Sequence, residues 1–239
     1  RLMSVPMWHA NYADDNGHLM FVFDGLIPKR KGHDYNYWSK VVAGDTSETM
    51  WTDYLSFDEL PKVIDPAVGW TQNTNQPPWD ASLPLLDRTN YPSYVAPSGD
   101  TLPQMRTLRS RRMITEDEKI SYESLIAKKH STRMELADRV LPDLLKAADG
   151  GTEAAKVLER WDRMTGVDSR GGVLFQIWVD KYFAGQGGIA AKLRVPFDKD
   201  HPNESAFGLK DPASALVALA AAADECLKTY GALDVKWGE

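Results

Sequence analysis

Two short runs near the start of the chain are aromatic and β-prone: Met7 to Asp14 and His18 to Phe23, with Asp15-Asn16-Gly17 between them. That pattern predicts a hairpin closed by a type I′ turn, because Asn-Gly supplies the positive φ values such a turn needs. Gly25, Pro28 and the Lys29-Arg30-Lys31-Gly32 segment end the second strand. The chain then loses periodicity as far as Pro103, and eight of its 14 prolines fall between Pro61 and Pro103. Trp38, Trp51, Trp70 and Trp79 are spread along this stretch, and long loops with so much aromatic surface are usually packed and functional.

Beyond Pro103 apolar residues recur at helical spacing. Thr132 and Glu135 read as a capping box ahead of Met134, Ala137, Val140, Leu141, Leu144 and Leu145, with Gly150-Gly151 as the stop and Pro142 expected to kink or split the helix. A second helix is predicted over Thr152 to Met164, with Val157, Leu158 and Trp161 facing inward. A third runs from about Val173 to Phe183. A fourth opens at Asp211-Pro212, a capping residue followed by proline at the first helical position, and continues toward Tyr230. Strands and loops over 1–104 followed by helices over 105–239 define an α+β chain.

Composition narrows the partners. A chain of 239 residues, 43% of them hydrophobic, can bury a substantial core. A net charge of −6 with one short basic run, Arg106 to Arg112, argues against nucleic acid as a partner. A lone cysteine, Cys226, excludes an internal disulfide and a cysteine metal cage. The longest apolar run, Ala213 to Ala223, falls well short of the roughly 20 residues of a membrane span. Arg1 to Pro6 lacks the pattern of a signal peptide, and the absence of an initial Met reads as a piece of a longer polypeptide. His9, His18 and His33 lie near Asp14, Asp15, Asp24 and Asp34 in sequence, but their spacing matches no metal motif, and a mixed surface is the expected outcome.

Gly69-Trp70-Thr71-Gln72-Asn73-Thr74-Asn75-Gln76-Pro77-Pro78-Trp79 carries the most chemistry. A carboxamide offers N–H donors without ionising, so it can face developing negative charge with no counter-charge of its own. Pro77 and Pro78 fix two φ angles and lower the entropy cost of holding the loop still. An ordinary surface turn rich in Asn and Pro is the bland alternative.

The ordered series Asn11-Tyr12-Ala13-Asp14, Gly17, Gly25, Pro28 with Arg30, Leu60-Pro61, Asp65-Pro66, Gly69-Trp70 and Asn73-Thr74-Asn75 resembles the β-subunit of the penicillin acylase family of N-terminal-nucleophile hydrolases. The nearest flavour is that of acyl-homoserine lactone and aculeacin-type acylases. Arg106, Ile120-Ser121 and Leu158-x-x-Trp161-Asp162 extend the likeness to about residue 180. Asp65, where the pattern usually has Asn, and Arg163, where Gly usually follows Trp-Asp, depart from it at positions that read as structural.

The resemblance implies part of an αββα fold and an amidase that cleaves a linear amide through an acyl-enzyme on an N-terminal serine. Arg1 cannot be that nucleophile, and nothing marks Ser4 as a substitute, so the expectation is a β-subunit fragment, inactive alone and completed by an α-subunit and the rest of the β-subunit from one precursor. Asn75 falls on the family's oxyanion-hole position and Asn73 on a bracing one. Arg106 falls on the family's active-site arginine, although a slip of a few residues would move that role to Arg109, Arg111 or Arg112. No cofactor is implied for catalysis. A structural calcium is implied for the full protein, with a Tyr35 carbonyl and Asp87 as candidate ligands and no set assigned. A small-molecule amide substrate and export to the periplasm or beyond follow by the same analogy. Without the resemblance, the loop tryptophans would read as a carbohydrate- or peptide-binding module; an inactive acylase remnant is the third reading.

Overall fold

A computed structural model describes residues 8–23, 25–97 and 102–239. Backbone packing divides the chain into two compact units, 1–114 and 115–239. The first long helix begins at Met105, and the division into units comes about one helix later.

In the first unit β1 (His9–Ala13) and β2 (Leu19–Phe23) form the predicted hairpin, with Ala13 opposite Leu19. Its turn is not the predicted type I′. Residues 14–18 form a longer loop in which the Asp14 carboxylate accepts from the Asn16 and His18 amides at 3.0 and 2.9 Å, and only Gly17, at φ 86°, takes a positive angle. The aspartate bonding its own backbone thus displaces the Asn-Gly geometry. A short helix α1 (Tyr35–Trp38), capped by Asp34, interrupts the loops. A third strand the pattern did not reveal, β3 (Lys62–Ile64), pairs antiparallel with β2, giving the order β1-β2-β3. As the central strand, β2 buries Phe21 and Val22 on opposite faces, and Val22 meets Leu55, Leu60, Trp79, Val95 and Ala96 in one core cluster. Helix α2 (Met105–Thr115) closes the unit, burying Thr107, Leu108 and Arg111.

Asp65 sits at φ 44°, a left-handed conformation that Asn and Asp tolerate best, and its carboxylate accepts from the Leu19 amide at 2.8 Å. The exchange of Asn for Asp at this position therefore keeps both the backbone and the acceptor.

The second unit is mainly helical: α3 (Tyr122–Lys129), α4 (Glu135–Ala148), α5 (Glu153–Arg160), α6 (Gly172–Tyr182), α7 (Gly188–Lys192) and α8 (Pro212–Tyr230), with the strand pair β4 (Leu193–Val195) and β5 (Phe207–Leu209). Helix α8 packs on α6 and α4 and begins where the sequence places it, with the Asp211 carboxylate accepting from Ser214 N at 3.0 Å. The core holds Val140, Leu141 and Leu144 of α4, Leu174, Phe175 and Trp178 of α6, and Leu219 of α8.

Part of the helical reading is corrected here. The capping box at Thr132 and Glu135 does not form: Met134 is the N-cap of α4 and gives no side-chain cap, the Thr132 hydroxyl accepts from the Thr165 amide, and Glu135 turns inward to Arg139 at 2.7 Å. Pro142 does not split α4; it lies on the exposed face, where water can serve the carbonyl its missing N–H leaves unpaired. Helix α5 is shorter than predicted, because Trp161 turns extended to lay its buried ring on Phe175, and Arg163 takes φ 62°. A left-handed residue there accounts for the glycine of the resembled pattern, and here the Arg163 guanidinium reaches Asp138 at 2.8 Å.

Candidate active site

The Trp70–Ser82 loop is built on side-chain amides. Gln72 and Gln76 are buried, although free glutamines are usually exposed. Gln72 Nε2 donates to the Asp80 carbonyl at 2.7 Å, and the Gln72 amide donates to the Ala81 carbonyl at 2.8 Å. Gln76 Nε2 donates to the Gln72 carbonyl at 3.1 Å, while its Oε1 accepts from both the amide and the hydroxyl of Thr74. Ser82 Oγ donates to the Trp70 carbonyl at 2.9 Å. Each bond satisfies a buried polar group that an irregular loop would otherwise strand.

That scaffold presents Asn75 in an exposed position at φ 57°, left-handed. Its amide donates to Asn73 Oδ1 at 3.0 Å, so Asn73 braces the turn. Arg106, in the first turn of α2, donates from Nη1 to Asn75 Oδ1 at 3.2 Å and from Nε to Gln104 Oε1 at 2.8 Å. A guanidinium can only donate, so the carboxamide oxygen is the atom it faces, and the Nδ2 end is left for an acceptor. The first turn of α2 holds no acidic residue, so the guanidinium and the helix N-terminus add positive potential at the same place.

Arg106, the first arginine of the run, thus reaches Asn75. Arg111 is buried instead, its Nη2 3.0 Å from Asp80 Oδ1. Burial pushes the Asp80 carboxyl above its ordinary range, against the pull of that guanidinium.

Asn75, Gln76, Trp79, Asp80 and Gln104 line a cleft of about 840 Å³, together with His9, Phe23, Tyr35, Tyr91 and Val95. Aromatic walls with a few convergent polar groups are the usual make-up of a small-molecule site. Trp79 is buried, its Nε1 donating to the Pro97 carbonyl at 2.7 Å, whereas Trp51 is 60% exposed. The loop tryptophans therefore divide between core and surface rather than acting alike.

Sequence reasoning missed Gln72, Gln76, Thr107 and the Asp80–Arg111 pair. The two glutamines stood in the quoted loop, and their signal was the density of amides around Asn75. Ser4 and Asp24 lie outside the described residues.

The histidines do not converge. His9 packs at a tilt against Phe21 and Phe23, with Nδ1 buried and unpartnered among the described residues. His18 faces Asp65 Oδ2 at 3.1 Å, and His33 stacks on Tyr37 at 3.8 Å. Among the described residues no three His, Cys, Asp or Glu side chains gather as a metal site. Asp87 caps a 3-10 turn, its Oδ1 accepting from the Thr89 amide and hydroxyl at 2.9 and 2.7 Å. Tyr35 and Asp87 alone fall short of the six to eight oxygens calcium takes, and the implied ion stays without an assigned ligand set.

Burial holds the His9 imidazole below its ordinary pKa, and hydrogen bonding to Asp65 holds His18 above it. In an NMR titration the two should bracket a free histidine, and coincident midpoints would contradict the structure. The consequences for stability are opposite in sign. The contribution of His9 is lost as pH falls through the unfolded imidazole's midpoint, and that of His18 is lost as pH rises through its folded midpoint.

A neutral carboxamide on the wall of the cleft, bound at its oxygen by a guanidinium, can offer its N–H to negative charge on oxygen. The chain belongs to the penicillin amidase family, whose model matches residues 1–239. It is similar to acyl-homoserine lactone acylase PvdQ of Pseudomonas syringae pv. tomato, 28% identical over 270 residues, covering 100% of this chain and 34% of that protein. PvdQ of Pseudomonas savastanoi pv. phaseolicola is 29% identical over 268 residues, covering 100% of this chain and again 34% of the relative. Penicillin G acylase of Escherichia coli is 25% identical over 204 residues, covering 79% of this chain and 22% of that protein. The chain thus spans about a third of the length of the PvdQ relatives. Among the described residues no helix is long and apolar enough to cross a membrane.

Proposed function

We propose that this chain carries the oxyanion-stabilising part of an amidohydrolase that removes an acyl group from a linear amide. The substrate class is the acyl side chain of a β-lactam, an acyl-homoserine lactone or a lipopeptide. The observation that carries the reading is the contact of Arg106 with Asn75 Oδ1 at the rim of the cleft, in a chain of this family.

The chemistry divides into two halves. A serine hydroxyl, on an N-terminal residue from outside the described segment, attacks the amide carbonyl as its proton passes to a base. The carbonyl oxygen becomes an oxyanion, and Asn75 Nδ2 donates to it. Arg106, by binding Oδ1, orients the carboxamide and polarises it toward stronger donation at Nδ2. Collapse expels the amine with that proton and leaves an acyl ester, which water then hydrolyses across the same donor. On this reading the chain turns over substrate only with the rest of its precursor, an α-subunit and the remainder of the β-subunit, in an αββα fold to which β1–β3 belong. Export to the periplasm is proposed by family analogy.

The test is hydrolysis of chromogenic amides of increasing acyl length by the full-length protein. Release of the chromophore with a maximum at one acyl length is expected. Saturable binding with no turnover of any member would instead favour the binding module or the inactive remnant.

A further inference from the structure

We propose that Thr107 and Arg111 are positioning residues, clamping the Trp70–Ser82 loop to α2 on either side of Asn75 and so fixing the Asn75–Arg106 pair. The inference rests on the oxyanion reading above.

Thr107 and Arg111 are four residues apart on α2 and so share one face, and both are buried, at 0% and 1% exposure. Thr107 Oγ1 lies 2.8 Å from Oγ1 of Thr74, the residue just before Asn75. Arg111 Nη2 lies 3.0 Å from Oδ1 of Asp80, which follows Asn75 by five positions. Arg106 leaves the same helix one residue before Thr107 and reaches Asn75 from the outside. Loop and helix are therefore tied at two buried points, with the functional contact at the exposed edge between them.

The direction of the first tie follows from proton counting. The Thr74 hydroxyl has one proton, and Gln76 Oε1, an acceptor only, takes it at 2.9 Å. Thr107 must then donate to Thr74. Thr107→Val removes that donor while keeping the shape, and Thr107→Ser keeps the donor.

The second tie has a cost that packing alone would not impose. Removing two charges from water is expensive, and apolar residues of similar volume often do as well or better for stability. What the ion pair adds is a defined register of helix against loop. Asn75 itself is exposed and held by the Asn73 brace and Arg106, so it inherits its position from Thr74 and Gln76. A shift of about 1 Å in a catalytic group can cost on the order of 100-fold in rate.

The experiment uses the full-length protein and compares Thr107→Val, Thr107→Ser and the double variant Asp80→Leu with Arg111→Met, each alone and combined with Asn75→Ala. Thr107→Val and the double variant should lower kcat about 10-fold or more with KM changed less than about 2-fold, and Thr107→Ser should retain activity. With Asn75 already Ala, the same changes should add less than about 2-fold, because the group they position is gone. Full activity in Thr107→Val and the double variant overturns the clamp, as does an equal loss whether or not Asn75 is present, which marks a structural role. An unchanged kcat in Asn75→Ala alone overturns the oxyanion reading, and the clamp with it.

Discussion

On the proposed oxyanion role, Asn75→Ala in the full-length protein should lower kcat by about 100- to 1,000-fold, the usual loss when one oxyanion donor is removed, equivalent to about 2.7 to 4 kcal/mol of transition-state stabilisation. Because the donor is needed most when the carbonyl oxygen carries charge, KM should move little. The fold should survive, since Asn75 is exposed and no buried group depends on its side chain; the Arg106 guanidinium it releases keeps Gln104 as a partner. Ala at φ 57° adds some backbone strain, so Asn75→Asp is the useful companion. It tolerates the same left-handed angle and still accepts from Arg106, but brings a negative charge to the place where the oxyanion forms. It should be at least as damaging as Ala. Equal rates for all three proteins in stopped chromogenic assays would remove position 75 from the chemistry.

The largest expected effect on stability lies in the second unit. Glu135 and Arg139 are 3% and 4% exposed, and form an ion pair at 2.7 Å one helical turn apart. Arg139 also donates from Nη1 to the Ser205 and Ala206 carbonyls at 2.7 and 3.2 Å, and its guanidinium lies 4.5 Å from the Phe207 ring centre. Arg139→Ala should destabilise the fold by about 3 to 5 kcal/mol, because it leaves the Glu135 charge buried without this partner. Changing Glu135 and Arg139 together to Met should recover part of that loss but not all, since the two carbonyls still lack their donor. A urea unfolding midpoint that does not move in Arg139→Ala would show that the pair is not buried as described.

How much of this was legible in the sequence depended on how local the cause was. The start of helix α8 could be placed because its signal, Asp211 before Pro212, acts within one turn, whereas its stop, Gly231 at φ 77°, was not read. The hairpin was legible and its turn was not, since Asn16-Gly17 fits two geometries and the Asp14 carboxylate decides between them. Helix α4 was misread at its start because Glu135 had a nearer cation inside the fold than the cap it was assigned. The roles of Asn75 and Arg106 came from the resemblance one residue at a time, and their contact is a feature only the fold displays. The Thr74–Thr107 and Asp80–Arg111 ties could not be read: their partners lie 33 and 31 residues apart, and nothing in either local segment announces the other. Strand β3 escaped for the related reason that three residues carry no period of their own.

Trp79 belongs at once to the wall of the cleft and to the core cluster with Val22, Leu55 and Leu60. Any lineage that widened the cavity by trimming this indole would surrender on the order of 3 to 5 kcal/mol of folding free energy in the same step. Room for a bulkier ligand is thereby channelled toward Phe23 and Tyr91, which line the same cleft while only partly buried.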